Sequence, residues 1–305
     1  MKALVVYHKV DLDGVCSAAV VKIKTEEEEG GKATLYGWTY GDPVEPVIEM
    51  AKDFDKIFLV DVSFPDMDVL SELNNSGHEV IWIDHHLTAI NNNLGIKFAG
   101  IREIGTAACE LTHRFLYEDK EVPLLIKYLS AYDVWNKDRY EWDEVLAVQY
   151  AMRAYCGLSV SMMMNYLNYH KHDTLTQEKS FIDSLMSKGY AIIRANAARN
   201  KSECNLFSFE ADVCGYRALC MNTTEFNTTT FEPVWDESKY DIMVPFLIRP
   251  DGVVRCSFYT TKTEIDCGKL AAKFGGGGHK QVAGLLLNFD SEEFKSFILN
   301  KILNK

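Results

Sequence analysis

The sequence predicts an α/β protein: a mostly parallel sheet with helices on both faces, then a helical linker and a smaller C-terminal α/β domain. Three observations point there. Short apolar runs alternate with helical periodicity through the first half of the chain. From about residue 140 to 200 the pattern is helical throughout, and after Glu203 short strands return. At ~150 residues per domain, 305 residues suffice for about two cores. We assign a first domain to residues 1–175, a linker to 176–202 and a second domain to 203–305.

Residues 2–7 form a buried strand, and Gly14 to about Lys24 a helix ended by the acidic run Glu26–Glu29 and Gly30-Gly31. Strands at 33–38, 56–60 and 79–83 alternate with helices at 43–53 and 66–75. Two more helices fit 105–117 and 123–132. Residues 177–201 contain little to interrupt a helix besides Gly189, and predict one long element. Beyond it, strands are expected at 206–209, 211–214, 218–221, 242–248 and 253–260, and a helix at 266–274. Four glycines at 275–278 break the pattern before a last strand at 281–289 and a last helix at 292–303.

Composition removes several classes of function. No stretch reaches the ~20 apolar residues that span a bilayer, so no membrane partner is expected. The apolar run after Lys2 stops at His8, short of a secretory core of about 7–15 residues, which predicts a cytoplasmic location. Eight cysteines include no C-x-x-C pair, and several sit within apolar runs. They read as reduced, small apolar residues. A balance of 32 basic against 44 acidic residues argues against coating long duplex nucleic acid, but not against a small phosphorylated substrate. A monomer or homodimer is expected.

Ligands of open α/β sheets bind beyond the carboxyl ends of the strands. Four segments place metal-type side chains at such positions: His8, Asp11 and Asp13, then Asp61, then Asp84-His85-His86, then Asp133 at the end of an apolar helix. Singly, each reads as a cap or a hydrogen-bonded core group. Jointly, that many carboxylates repel one another unless cations lie among them. Mixed carboxylate and imidazole donors suit manganese, with magnesium, cobalt or zinc as alternatives. A carboxylate that bridges two cations ~3.5–4 Å apart sets up in-line phosphoryl displacement.

At these residues the sequence resembles the DHH phosphoesterase superfamily. The match runs in order: D-x-D-G at 11–14, Asp61, the triplet at 84–86 and Asp133. Gly275–Gly278 with His279, Val282, Ala283 and Gly284 resembles the glycine-histidine segment of the DHH-associated C-terminal domain. The resemblance implies that His8, Asp11 and Asp61 hold one metal, and that Asp13, Asp61, His85 and Asp133 hold a second. It implies that His86 contacts the scissile phosphate and that Asp84 orients an imidazole. Gly275, Gly276, Gly277, Gly278 and His279 would bind the distal phosphate or sugar, and glycine suits them to it because the backbone can approach an anion closely. Tyr259 stands where many members acting on small oligonucleotides carry arginine, and would contact a base or ribose. The N–H of Thr106 would meet a phosphate.

The expected function is therefore a phosphodiesterase on short oligonucleotides, similar to the oligoribonuclease (nanoRNase) branch, using two divalent ions, manganese first, to activate a hydroxide. Within the same catalytic half, the alternatives are cyclic dinucleotides, 3′-phosphoadenosine 5′-phosphate, and polyphosphate or pyrophosphate. A non-catalytic nucleotide-binding module is disfavoured because carboxylate or imidazole stands at every expected position. A zinc-dependent peptide or amide hydrolase is disfavoured because H-E-x-x-H is absent.

Overall fold

The computed structural model describes residues 1–75, 77–93, 95, 97–169 and 175–299. Four strands, β1 (Lys2–His8), β2 (Lys32–Trp38), β3 (Lys56–Val60) and β4 (Glu79–Ile83), pair in parallel in the order β2–β1–β3–β4. The helices of this region are α1 (Leu12–Glu27), α2 (Glu45–Ala51), α3 (Asp68–Asn75), α4 (Leu87–Asn92), α5 (Ala108–Leu116), α6 (Leu124–Asp133), α7 (Trp142–Tyr155) and α8 (Val160–Tyr169). Alternate residues of β1 serve opposite cores. Ala3 and Val5 pack with α1, α5 and α6, and Leu4 and Val6 pack with α2 and α3. Burial on both faces explains why β1, β3 and β4 read as continuous apolar runs rather than alternating ones.

The start of α1 lies against the end of β1. Asp11 caps the helix by accepting from Gly14 N–H at 2.9 Å. A Cβ at Gly14 would fall 2.1 Å from the His8 carbonyl oxygen, so only glycine lets the helix begin this close to the strand. Leu12 through Val21 are all buried, which makes α1 a central helix rather than a surface one.

Helix α9 runs over Leu175–Phe207, longer than the predicted 177–201. The expected strand at 206–209 is thus corrected. Leu206 and Phe207 complete the helix, and pairing begins at Ser208. Gly189 is not a break but a crossing point, since a Cβ there would lie 1.8 Å from the Ala147 carbonyl on α7. Gly189→Ala is expected to force α7 and α9 apart at a cost of about 1–3 kcal/mol, the usual range for overpacking. The midpoint of thermal unfolding would fall by several degrees. An unchanged midpoint would show that the crossing has slack.

Packing divides the chain into two units, Met1–Ile193 and Arg194–Lys305. The second holds a six-stranded sheet of β5 (Ser208–Val213), β6 (Tyr216–Asn222), β7 (Ile242–Ile248), β8 (Val253–Tyr259), β9 (Gly277–Gly278) and β10 (Val282–Asn288), in the order β5–β6–β7–β8–β10–β9. Only β6 and β7 pair in parallel. Helix α10 (Cys267–Ala272) and the C-terminal turns, α11 (Glu292–Phe294) and its continuation over Lys295–Leu299, bury Leu270, Phe294 and Ile298 with the apolar side chains of the sheet. The predicted last helix extends to Leu303, and its end lies outside the described residues. The glycine run, expected to break the pattern and to bind an anion, supplies the two-residue β9. All eight cysteines are free thiols, seven of them buried. Among the described residues no helix is long and apolar enough to cross a membrane.

Candidate metal centre

The sheet order makes the carboxyl ends of β1, β3 and β4 neighbours. His8 is the last residue of β1, Asp61 follows β3, and Asp84-His85-His86 follow β4. Asp11 and Asp13 belong to the start of α1, and Asp133 is the last residue of α6. All six sequence-predicted ligands converge. His8, Asp11 and Asp61 form one group, Asp13, His85 and Asp133 a second, and Asp61, His85 and His86 a third. The ligand atoms of each group lie within 4.8 Å of one another.

Asp61 is the hinge of the arrangement. Its backbone is left-handed, with φ of 59°, while its N–H donates to the Ile83 carbonyl at 3.0 Å. Aspartate tolerates this conformation better than most residues, and such positions concentrate at functional sites. Its Oδ2 lies 3.5 Å from His8 Nδ1, and its Oδ1 lies 3.3 Å from His85 Nε2. His8 Nδ1 is also 2.6 Å from Asp11 Oδ2, while Thr39 Oγ1 pairs with His8 Nε2 at 3.3 Å. His85 Nε2 sits 3.5 Å from Asp13 Oδ2 and 3.2 Å from Asp133 Oδ2. Asp13 is anchored by two N–H groups at the start of α5, Ala108 at 2.9 Å and Cys109 at 2.6 Å.

Asp84 is fully buried. Its Oδ1 accepts from His85 N–H at 2.7 Å, His86 N–H at 3.1 Å and His86 Nδ1 at 2.8 Å. Its Oδ2 accepts from Trp82 Nε1 at 3.3 Å. It fixes the turn after β4 and commits His86 Nδ1, which leaves Nε2 as the nitrogen available to a ligand. The bond to Asp84 outweighs burial and raises His86 to about 9, so the ring is a cation at neutral pH. Asp84→Asn is expected to lower turnover ~10–100-fold, the usual range for a group that orients a ligand imidazole. The His86 titration, followed by NMR, should move toward the ordinary histidine value. Full activity would exclude the orienting role.

The electrostatics describe a cluster with too much negative charge. Burial, then the nearby carboxylates, raises Asp61 to about 7, although His8 pulls against it. Burial and the Asp61 charge push Asp13 up, and burial and the Asp13 charge do the same to Asp133. Burial works against His8, but Asp11 and Asp61 prevail and raise it to about 10. His8 Nδ1 and Asp61 Oδ1 are buried and aligned for no hydrogen bond despite their close neighbours. Converging oxygen and imidazole donors, orphaned ligand atoms and unfavourable carboxylate ionisation are all relieved by divalent cations, so the residues fit such ions.

The remaining predicted site residues belong to other segments of the chain. Thr106 precedes α5, and its hydroxyl donates to Glu103 Oε1 at 3.0 Å. Tyr259, on β8 of the second unit, donates its hydroxyl to the Phe226 carbonyl at 2.6 Å. A Cβ at Gly276 would meet the Gly284 carbonyl at 2.3 Å, and one at Gly278 would meet the Val282 carbonyl at 2.6 Å. Here the absence of side chains lets two strands approach. His279 is exposed, and its N–H donates to the Val282 carbonyl at 2.7 Å.

Sequence reasoning missed the groups that brace the centre. Thr39 and Tyr40 follow β2, and the Tyr40 ring meets His8 edge-on at 5.8 Å and His86 at 6.4 Å. The strand-end rule would have found them had the place of β2 beside β1 been known. Buried Glu110 accepts from Arg114 at 2.5 Å and from both Arg139 nitrogens at 2.6 and 3.1 Å, tying α5 to the loop after Asp133.

A parallel sheet whose strand ends gather these donors is a scaffold suited to divalent cations. Residues 2–132 match the model of the DHH family, N-terminal domain. A curated relative, an uncharacterised protein of Acanthamoeba polyphaga mimivirus, is 25% identical over 232 residues, covering 71% of this chain and 50% of the relative. The matched stretch thus spans about half of that protein's length. Two solved structures share the fold. A pGpG-specific phosphodiesterase, PggH, from Vibrio cholerae matches with a TM-score of 0.52 at 14% identity, covering 99% of this chain and 97% of its own. An exonuclease RecJ bound to manganese matches with a TM-score of 0.51 at 16% identity, covering 94% and 86%.

Proposed function

We propose that the chain is a divalent-metal-dependent phosphodiesterase acting on short oligonucleotides. The observation that carries this reading is Asp61, whose two carboxylate oxygens face different donor groups, Oδ2 toward His8 and Oδ1 toward His85. His8, Asp11 and Asp61 would hold one cation. Asp13, Asp61, His85 and Asp133 would hold the other, with manganese favoured by the mixed donors. Bound there, divalent cations supply Lewis-acid stabilisation of phosphoryl charge and activation of water.

The protein's own groups do the rest. Asp84 holds the His86 ring and keeps it cationic, so that Nε2 donates to a phosphoryl oxygen as negative charge develops on it. The N–H groups of Ala108 and Cys109 fix both oxygens of Asp13, which keeps that ligand from swinging away. In the second unit, Gly275–Gly278, His279 and Tyr259 are assigned to a phosphate, sugar or base of the substrate, and Thr106 in the first unit to a phosphate. The acidic net charge of −12 favours a substrate of few phosphates over a long polyanion. A pGpG-specific phosphodiesterase and an exonuclease among the proteins sharing the fold accord with this substrate class.

The test is release of mononucleotides from di- to pentanucleotides with manganese, magnesium or cobalt. Hydrolysis that favours the shortest substrates supports the reading. No hydrolysis with any of these ions, or a clear preference for polyphosphate, overturns it.

A further inference from the structure

Helix α6 ends two residues short of an unusual tryptophan. Trp135 N–H donates to the Tyr132 carbonyl at 3.2 Å, and Asn136 N–H donates to the Ala131 carbonyl at 2.9 Å. This pair of bonds is the Schellman ending of a helix, whose left-handed position is ordinarily glycine. Here that position is Trp135, with φ of 56°. Bulky L-residues rarely adopt this conformation. The side chain is not kept there by burial, because Trp135 is 57% exposed.

The ring is nevertheless held. Trp142 meets it edge-to-face at 4.7 Å, and Tyr132 lies parallel to Trp142 at 6.1 Å. The Lys137 ammonium lies 5.0 Å from the Trp135 ring centre and 5.3 Å from that of Trp142. A solvent-facing indole, braced from behind and flanked by a cation, stands two residues after Asp133, whose Oδ2 is 3.2 Å from His85 Nε2. Single exposed apolar residues are common and need no explanation. One that takes the place of glycine in a helix ending, two residues after a candidate metal ligand, is suited to a ligand with a flat face.

We infer that Trp135 is a stacking platform for a nucleobase of the nucleotide whose phosphate is bound near Asp133, with Lys137 beside it as a cationic neighbour. This rests on the phosphodiester reading above for the phosphate, but not for the base. Stacking tolerates every base, since each has a π-face, so the platform confers preference for nucleotides over bare phosphates without selecting a sequence. It would separate nucleotide substrates from polyphosphate.

The test compares binding of adenosine 5′-monophosphate with that of ribose 5-phosphate, by calorimetry in the presence of manganese. Wild type is expected to bind the nucleotide ~10-fold or more tightly than the sugar phosphate, the range of one base–aromatic stack. Trp135→Gly should abolish that difference, while Trp135→Phe retains most of it. Because glycine suits the left-handed position, the thermal midpoint of Trp135→Gly should hold or rise, whereas a merely structural tryptophan would lower it. Undiminished preference for the nucleotide in Trp135→Gly overturns the inference, as does wild type that binds both probes equally. Base-dependent binding lost in Trp135→Gly, in a protein that hydrolyses no oligonucleotide, would support the platform and overturn the proposed activity instead.

Discussion

Asp61→Asn protein is expected to keep its fold and lose both cation sites at once. Asparagine tolerates the left-handed backbone of position 61 as aspartate does, so the turn after β3 is preserved. It cannot offer two anionic oxygens to two donor groups. Loss of a single preorganised contact costs ~10²–10³ in turnover, and a ligand shared by two groups is expected to exceed that range. Calorimetric titration with manganese should show both binding events weakened, whereas Asp11→Asn or Asp133→Asn should weaken one. Without cations, Asp61→Asn should be more stable than wild type, because a buried carboxylate crowded by Asp11 and Asp133 has been removed. Two undisturbed binding events in Asp61→Asn would dismantle the bridging arrangement.

Stripped of divalent ions, the protein is expected to lose stability progressively from about pH 4 to about pH 10. Asp61 ordinarily titrates at 3.8, but burial and its carboxylate neighbours raise it to about 7 in the folded state. Between those values the folded chain holds a proton that the unfolded chain has released, so stability falls as pH rises. For Asp61 alone that displacement corresponds to roughly 4 kcal/mol. His8 and His86, raised to about 10 and about 9 from 6.5, act in the same direction at higher pH. Their contribution is complete below 6.5 and is lost as pH passes their folded values. Asp11, held low by His8 and Gly14 N–H despite its burial, opposes the trend only in acid. Cations bind the deprotonated carboxylates, so manganese should flatten or invert this dependence between pH 6 and 9. Thermal midpoints measured across pH with chelator and with manganese would check it. Identical profiles in the two conditions would rule out cation binding by these groups.

Much of the centre was legible in the sequence because parallel sheets put their chemistry at strand ends. His8, Asp61 and the Asp84–His86 triplet each close an apolar run, and D-x-D-G carries its own geometric demand at Gly14. Thr39 and Tyr40 were not legible. Nothing local marks them, and only the pairing of β2 with β1 brings them to His8. Glu110 and Arg139 are 29 positions apart, and their ion pair depends on how α5 meets the loop after α6. The end of α9 was misread for a different reason. Leu206 and Phe207 are apolar and precede a strand, yet they are exposed helix residues, so apolar character there did not signal pairing. The glycines at 277–278 were read as a break in the pattern and an anion site, not as a strand, because side-chain patterns cannot show a strand that exists through lack of side chains.

The scattered origin of the ligands also sets how much of the chain each donor group spans. The group built from His8, Asp11 and Asp61 draws its donors from the ends of β1 and β3 and the start of α1, with the Asp61 N–H held by the Ile83 carbonyl of β4. Its companion draws on His85 and on Asp133 at the end of α6. The first donor group is therefore written within the opening 61 residues, whereas the second spans the sequence from Asp13 to Asp133.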